Sequence, residues 1–191
     1  MLRSSEQGYL VAFIDGGARG NPGPAGYGVV FEDEVGRPVA NLSEYLGRQT
    51  NNYAEYSGLL AALNYTLRHG FKALKVISDS ELMVKQINGE YKVSSPVLKE
   101  LHQRAMKLIE QLECFEMKHV LREKNREADR LANIAMDRGM ARKALAVSAT
   151  DVGGVAAVVP EINGVVRDGV VHFTGAPLPE GTLVKIRAVK P

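Results

Sequence analysis

The sequence contains 191 residues, of which 45% are hydrophobic and 24% charged, with a formal net charge of +2. These proportions exclude a disordered or fibrous chain and are typical of a soluble globular protein; the small net charge neither requires nor excludes a polyanionic partner. The single cysteine, Cys114, excludes an internal disulfide framework and favours a reducing compartment. No apolar run reaches the ~18 residues of a membrane span and no signal peptide is recognisable, so we predict a cytoplasmic protein without membrane contacts.

The first part of the chain predicts a β-meander followed by a long helix. Alternating or apolar runs predict strands over residues 9–14, 26–33 and 38–46, with EDEVGR as the second hairpin turn. Apolar residues then recur at helical spacing from residue 51 to 69, where Gly70 is a natural stop.

The chain then alternates between strands and helices. ALKVIS predicts a buried strand, SELMVKQING a short helix ended by Gly89, and Pro96 opens a helix to about residue 112. CFEMKHVL alternates as a strand, and the last helix is predicted from about residue 125 to Gly139. This order predicts an α/β fold in which helices pack on the faces of a mixed sheet.

Residues 145–191 are rich in Val, Gly, Ala and Pro and show no convincing helical period. VAAVVPEI, GVVHF and TLVKIRAV are typical of short strands, separated by the turns ING, RDG and APLPEG. We therefore predict two domains, residues 1–141 and a small β-rich extension at residues 145–191 that is too small to be very stable alone.

Four acidic residues are predicted to meet at one edge of the sheet. Asp15 ends the first strand, within VAFIDGGARGNPGPAGYGVVF, and Asp79 ends the strand KVIS where the next helix starts. Glu55 lies in the first turn of the long helix, and Asp129 lies in the first turns of the last helix. Functional groups in open α/β sheets collect outside the carboxyl ends of strands, so parallel strands would bring these side chains together.

Each acidic residue also has a simpler explanation. Asp15 favours the turn that DGG makes, Asp79 suits the N-cap of the next helix, and Glu55 complements the positive end of its helix dipole. Asp129 borders an apolar stripe at helical spacing, where a solvated position is the alternative. The stripe consists of Ala128, Leu131, Ala132 and Ala135.

Together, the convergent carboxylates indicate divalent cations. Several carboxylates in one partly buried site repel one another, and some stay protonated near neutral pH unless cations balance their charge. Oxygen ligands without Cys or His clusters favour Mg²⁺ or Mn²⁺ over zinc. Two such ions ~3.5–4 Å apart activate a water and stabilise a leaving oxygen in phosphodiester cleavage. Gly16, Gly17 and Gly20 would leave room beside Asp15 for ions and a substrate backbone.

Four motifs carry a more specific indication: FIDGGARGNPGPAGYGVV, RQTNNYAEYSGLLAAL, VISDSELMVKQING and REKNREADRLAN. In this order, over about residues 8–139, they resemble type 1 ribonuclease H. The resemblance implies the ribonuclease H fold, a five-stranded mixed sheet flanked by helices, which agrees with the elements predicted above. It also implies a metal-dependent endonuclease that hydrolyses the RNA strand of RNA/DNA hybrids and leaves 5′-phosphate and 3′-hydroxyl ends.

The resemblance implies a catalytic and metal-binding role for each acidic residue, with Mg²⁺ or Mn²⁺ bound as two ions per site when substrate is present. Asp15 would bridge both ions, Asp79 would help hold the ion on the side of the attacking water, and Asp129 would complete coordination there. Glu55 would bind the other ion and contact a ribose 2′-hydroxyl of the substrate.

Substrate contacts are also implied, because the 2′-hydroxyl distinguishes RNA from DNA and a wide minor groove presents it. Backbone amides of residues 17–20, with Asn51 and Asn52, are similar to the minor-groove contacts of the family, and Arg48 and Thr50 resemble its phosphate-gripping pair. The alternatives are helix capping for at least one Asn and a solvated strand end for Arg48. The predicted substrate-binding residues are Gly16, Gly17, Ala18, Arg19, Gly20, Asn21, Arg48, Thr50, Asn51 and Asn52.

The sequence departs from the family pattern in three places. Many members carry a His in a loop before the last Asp, but none lies between Val120 and Asp129, and His119 falls in a strand pattern that favours a structural role. Arg122 is predicted to contact substrate instead, as a further catalytic residue, with a solvated charge as the alternative. A basic helix-and-loop handle is absent, which predicts weaker binding because phosphate contacts dominate affinity. The third departure is the extension, predicted to mediate self-association or docking.

Two other functions stay open at this point. The first is a hybrid-binding module without catalysis, against which the intact acidic set counts. The second is a nuclease of the same fold that acts on duplex RNA; TNNYAE beside DGGARGNPG favours reading of 2′-hydroxyls in a minor groove instead. Sequence-specific recognition is not predicted, because nothing resembles a base-reading helix or finger.

Overall fold

The computed structural model describes residues 8–150, 163–167 and 170–174, with side chains described from residue 8 to 142. The chain forms two compact units, Met1–Ser148 and Ala149–Pro191. The predicted domains, residues 1–141 and 145–191, stay a prediction. The elements in chain order are β1 (Leu10–Ala18), β2 (Gly23–Glu32), β3 (Pro38–Gln49), α1 (Asn51–Arg68), β4 (Ala73–Ser78), α2 (Glu81–Ile87), α3 (Pro96–Ile109), β5 (Cys114–His119), a 3₁₀ turn (Arg122–Lys124), α4 (Arg126–Thr150), β6 (Asn163–Arg167) and β7 (Val170–Thr174).

The first five strands form one sheet in the order β3-β2-β1-β4-β5. β2 is antiparallel to both β1 and β3, whereas β1, β4 and β5 are mutually parallel. The predicted α/β fold with a five-stranded mixed sheet is therefore confirmed. Pairing between β1 and β4 ends at Ile14 and Ser78, so residues 15 and 79 follow at the same edge of the sheet.

One face of the sheet carries the main apolar core. Alternate residues of β1, Leu10, Ala12 and Ile14, are fully buried, as are Leu59 and Leu63 of α1. Helices α2 and α3 add further buried apolar side chains to the same cluster. Burying a leucine side chain contributes about 1.5–3 kcal/mol, so this face accounts for much of the stability of the fold.

Helix α4 packs on β2 through small residues instead. A Cβ atom built at Gly28 would lie 2.3 Å from the carbonyl oxygen of Ala128 and 2.7 Å from the amide nitrogen of Ala132. A Cβ atom built at Gly26 would lie 3.2 Å from the Cβ atom of Ala135, so the space there is similarly small. The backbone of α4 therefore lies directly against the backbone of β2, as only glycine permits.

The two largest differences between predicted and observed boundaries are at the ends of the first strand and of the last helix. The strand predicted to end at residue 14 continues to Ala18, because β2 still pairs with it after β4 has ended. The last helix does not end at Gly139 but continues to Thr150, so residues 145–150 are helical rather than irregular. Gly139 is a packing residue, since a Cβ atom there would meet the ring of Tyr45, and the alanine-rich sequence beyond it favours helix.

In the second unit, β6 and β7 form an antiparallel pair with Asn163 opposite Thr174 and Arg167 opposite Val170. β7 overlaps the predicted strand GVVHF, whereas β6 is not predicted, because its ends fall in the predicted turns ING and RDG. The predicted strands VAAVVPEI and TLVKIRAV lie outside the described residues. Across the described part of the chain, every helix is too short or too polar to cross a membrane.

Candidate active site

Asp15 and Asp79 lie side by side at the carboxyl edge of the parallel strands. Asp15 lies within β1 opposite Gly28 of β2, and Asp79 directly follows β4. Cross-strand partners point to the same side of a sheet, so Asp15 faces α4, which covers Gly28. Asp15 is therefore a strand residue, and the turn that would have explained it begins only after Ala18.

Asp79 is not the cap of the next helix. Ser80 is the N-cap of α2, and its hydroxyl oxygen accepts a hydrogen bond from the Met83 amide at 3.4 Å. The capping explanation for Asp79 is thus wrong, because the residue after it already supplies the oxygen that α2 requires. The Asp79 carboxylate is therefore not used to cap α2.

Glu55 lies in α1 just after the first turn, which contains no acidic residue, so its predicted place in that turn is corrected by one residue. The Ser80 hydroxyl donates to Glu55 Oε2 at 2.6 Å and joins α1 to α2. Gly16 explains the closeness of α1 to β1, because a Cβ atom there would lie 2.3 Å from the Glu55 amide nitrogen. The space at Gly16 is filled by α1, whereas an added Cβ atom at Gly17 or Gly20 would meet its nearest neighbour at an ordinary 3.8 Å.

Asp129 lies in the first turn of α4 and forms an ion pair with Arg122. The guanidinium Nη2 lies 2.5 Å from Asp129 Oδ1, although 73% of the Arg122 side chain is exposed. Arg122 begins the 3₁₀ turn and also acts electrostatically on Asp15. Arg122 is therefore not an isolated surface charge, because it interacts with Asp129 and Asp15.

The charges of these residues act on one another. Burial is the main cause that raises the pKa of Asp15 to about 7, and the charges of Asp79 and Asp129 act in the same direction. Burial also raises the pKa of Glu55, opposed by the Ser80 hydrogen bond and assisted by the charge of Asp79. The four predicted carboxylates thus form one electrostatic group at the sheet edge.

Asn125 belongs to this group and was missed. It is 2% exposed, and its Nδ2 donates to the Ile14 carbonyl oxygen at 2.8 Å and to Asp79 Oδ1 at 2.9 Å. An asparagine between charged residues is typical of a surface turn, so the sequence around it, REKNREAD, gave no sign of burial.

The predicted substrate-binding residues near α1 are tied into one loop. Asn51 Oδ1 accepts from the Ala18 amide at 2.7 Å, and the Asn51 amide donates to Asn21 Oδ1 at 3.3 Å. The Arg19 amide donates to the Pro24 carbonyl oxygen at 2.8 Å. The predicted amide contacts of residues 18 and 19 with substrate are therefore corrected, because both amides already donate within the protein.

The remaining predicted contacts lie around the start of α1. Thr50, rather than either Asn, is its N-cap, and its hydroxyl accepts from the Tyr53 amide at 3.3 Å. Arg48 is exposed on β3, and Asn52 lies half-buried in the first turn of α1. The guanidinium of Arg19 lies 2.6 Å from Asp137 of α4. Substrate binding by these residues stays a prediction.

The departures from the family pattern are visible in the structure. His119 is the last residue of β5 and is exposed, so the structural role predicted for it has no packing to support it. After α2 ends at Ile87, α3 begins at Pro96 without an inserted helix, so the absence of a handle is confirmed.

The donor set fits a hard dication better than any softer metal, because every candidate ligand is a carboxylate oxygen. Burial, with the charges of Asp79 and Asp129, raises the pKa of Asp15, and a bound cation would favour its ionised form. Among the described residues, no group of three His, Cys, Asp or Glu side chains is arranged to hold a metal ion.

Comparison with known proteins agrees with this geometry. The family model for reverse transcriptase-like proteins matches residues 13–135. Ribonuclease HI of Halobacterium salinarum is 40% identical over 137 residues, which cover 72% of this chain and 69% of that protein. The chain belongs to the type 1 ribonuclease H family. Its ribonuclease H fold superposes with a TM-score of 0.66 on LC11-RNase H1 in complex with RNA/DNA hybrid, at 42% identity over 69% of this chain and 99% of that one.

A second relative of the ribonuclease H domain differs in length. The bifunctional protein Rv2228c of Mycobacterium tuberculosis is 44% identical over 129 residues, which cover 67% of this chain. The chain spans only 35% of that protein. The solved N-terminal RNase H domain of that protein is 41% identical over 71% of this chain.

Proposed function

We propose that this ribonuclease H domain hydrolyses the RNA strand of RNA/DNA hybrids. The observation that carries the proposal is the gathering of Asp15, Glu55, Asp79 and Asp129 into one electrostatic group at the sheet edge. Solved relatives of the same fold include one in complex with RNA/DNA hybrid, at 42% identity. The hybrid is accordingly the proposed partner.

The four carboxylates would hold Mg²⁺ or Mn²⁺, in a set that suits two ions. Such ions supply activation of a water and stabilisation of the leaving oxygen in phosphodiester cleavage. Asp15 stands centrally, since its pKa responds to both Asp79 and Asp129. Glu55, fixed by the Ser80 hydroxyl, stands on the α1 side and would contact the ribose 2′-hydroxyl.

The proposed reaction breaks the bond between phosphorus and the 3′-oxygen. Water adds its oxygen to phosphorus, its proton is lost to solvent, and the departing 3′-oxygen takes up a proton. The products would carry 5′-phosphate and 3′-hydroxyl ends. Arg122, which is exposed and paired with Asp129, would contact a substrate phosphate.

Discrimination between RNA and DNA would come from the loop that joins β1 to β2. Asn51 and Asn21 are held there by hydrogen bonds to backbone atoms, and Gly17 and Gly20 have no side chain that would obstruct a minor groove. Amide side chains donate and accept, as a 2′-hydroxyl requires. Arg48 and Thr50 would hold a phosphate of the DNA strand.

The test compares Asp79→Asn with Asp33→Asn, a change of the same type at the distant β2–β3 hairpin, where Asp33 binds Arg37. Labelled hybrid, duplex RNA and duplex DNA are incubated with each variant and with Mg²⁺ or Mn²⁺. Only hybrid should be cut, with Asp79→Asn at least a thousandfold slower, about 4 kcal/mol in barrier, and Asp33→Asn unchanged.

Each other outcome has a meaning. Activity of Asp79→Asn above a tenth of the parent rate would exclude the proposed site. Binding without cleavage by the parent chain would favour a hybrid-binding module, and equal cleavage of duplex RNA would favour the other nuclease. Repeating the assay without residues 151–191 would show whether the extension contributes to docking, as we propose. Location in the cytoplasm stays a prediction.

A further inference from the structure

Asn125 connects three segments through one buried side chain. Its two Nδ2 hydrogens are directed to the Ile14 carbonyl oxygen at 2.8 Å and to Asp79 Oδ1 at 2.9 Å. Its own backbone carbonyl oxygen accepts from the Asp129 amide at 3.1 Å. The end of the β1–β4 pairing, the residue after β4 and the first turn of α4 thus meet at Asn125.

The other half of this side chain is unfavourable for the fold. Asn125 Oδ1 is buried, and no group in the described part of the chain donates a hydrogen bond to it. A buried amide oxygen without a donor costs about 1–3 kcal/mol. This cost offsets part of what the two Nδ2 hydrogen bonds contribute to stability, and unsatisfied groups of this kind require an explanation.

We propose that Asn125 is a positioning residue for the reaction. Its amide fixes the Asp79 carboxylate at the sheet edge, and its carbonyl oxygen holds the backbone of Asp129. Two carboxylates from distant segments are thus set at a fixed separation by one residue. The inference rests on the proposed function, because it assigns a role within the same site.

The role requires an amide at this position. Both acceptors, a backbone carbonyl oxygen and a carboxylate oxygen, need donors. In Asn125→Asp the shape is nearly unchanged, but an oxygen would face both acceptors and repel the Asp79 carboxylate. Asn125→Ala removes both hydrogen bonds without adding charge. Asn125→Ala therefore tests loss of the hydrogen bonds to Ile14 and Asp79, whereas Asn125→Asp tests their replacement by repulsion.

The experiment measures hybrid cleavage and, without substrate, Mn²⁺ binding by calorimetry. Asn64→Ala is the matched control, because Asn64 Nδ2 donates to the Leu60 carbonyl oxygen of its own helix, at 2.7 Å. Substitution of a residue that orients a metal ligand typically lowers activity or metal affinity by about 10–100-fold. We expect such losses in kcat and in Mn²⁺ affinity for both Asn125 variants, with KM for hybrid within about twofold.

Asn125→Asp should be at least as impaired as Asn125→Ala, and Asn64→Ala should match the parent chain. Thermal unfolding in chelator gives the folded fraction at the assay temperature, and Asn125→Ser replaces a variant that does not fold. If kcat and Mn²⁺ affinity, corrected for folded fraction, equal those of Asn64→Ala, Asn125 is structural and the inference is wrong. If the parent chain does not cleave hybrid, the proposed function fails, while the Mn²⁺ comparison still tests the tie to Asp79.

Discussion

On one face of the sheet, α1 packs through large apolar side chains, whereas on the other face α4 packs with its backbone against the glycines of β2. The first face buries Leu59 and Leu63 completely, and the second brings Ala128 to within 2.3 Å of where a Gly28 Cβ atom would lie. The difference separates two tasks. The apolar face supplies stability, and the glycine face sets the distance between Asp129 on α4 and Asp15 on β1.

The largest energetic effect is expected on the apolar face. Leu63→Ala should lower the free energy of unfolding by about 2–5 kcal/mol, because it leaves a cavity in a fully buried cluster. Cleavage per folded molecule should be unchanged. Denaturant unfolding and hybrid cleavage, measured on the same preparation, check this. A specific loss of kcat would show that the two faces are not separate in function.

The next effect is expected on the glycine face. Gly28→Ala would force α4 away from β2 and displace Asp129, and a shift of about 1 Å can lower the rate of a positioned reaction about a hundredfold. The control is Gly58→Ala, where the added Cβ atom meets Tyr27 at an ordinary 3.4 Å. Kinetics of both variants give the comparison. Full activity of Gly28→Ala would mean that α4 does not set the geometry of the carboxylates.

A smaller effect is expected where α2 contacts Glu55. Ser80→Ala removes the hydrogen bond that lowers the pKa of Glu55, so this pKa should rise. If ionised Glu55 is needed, the acid limb of the activity profile should move to higher pH, and cleavage on the acid side should be slower than in the parent chain.

Two variants separate this effect from loss of the helix cap. Ser95→Ala removes the cap of α3 and should cost about 1 kcal/mol of stability without moving the pH profile. Ser80→Thr keeps a hydroxyl and should restore the parent profile. A profile that is the same in Ser80→Ala and the parent would assign Ser80 to capping alone.

The last comparison concerns the dependence of stability on pH in chelator. The pKa of Asp15 is raised to about 7 from 3.8, so the folded state holds this proton over a range where the unfolded state has lost it. Parent stability should therefore fall as pH rises from about 4 to about 7, by at most about 1.4 kcal/mol per pH unit from this group. Asp15→Asn should lack this decrease and exceed the parent in melting temperature at neutral pH.

Asp33→Asn provides the opposite case, because backbone and side-chain hydrogen bonds hold the pKa of Asp33 below its usual value. It should leave the pH dependence between about 4 and about 7 unchanged. If the stability of the parent chain and of Asp15→Asn depends on pH in the same way, the pKa of Asp15 is not raised by burial as inferred.

Much of the fold follows from local patterns in the sequence. The strand ALKVIS and the start of the long helix at residue 51 agree with β4 and α1, because apolar periodicity and a Thr cap act locally. The extension of β1 to Ala18 could not be predicted, since it depends on pairing with β2 across space. The helix beyond Gly139 was missed because that glycine serves packing on Tyr45 rather than termination.

The site was predictable where chemistry follows strand ends. Asp15 and Asp79 each stand after the last pair of two parallel strands, and such a position is visible in sequence as a carboxylate after an apolar run. Asn125 and Ser80 were not recognised, because each acts through a partner from a distant segment. Their neighbours in sequence are charged or capping residues, which suggest exposure.

The contact at Gly28 also limits how the molecule can change. Where main chain meets main chain, the separation is fixed by atomic radii, and no side chain remains that could be shortened to bring the two elements nearer. Substitution there acts in one direction only, as a spacer that widens the gap. A smaller spacing between β2 and α4 therefore cannot be obtained by substituting a side chain at this contact, and a different spacing requires a shift of the whole helix.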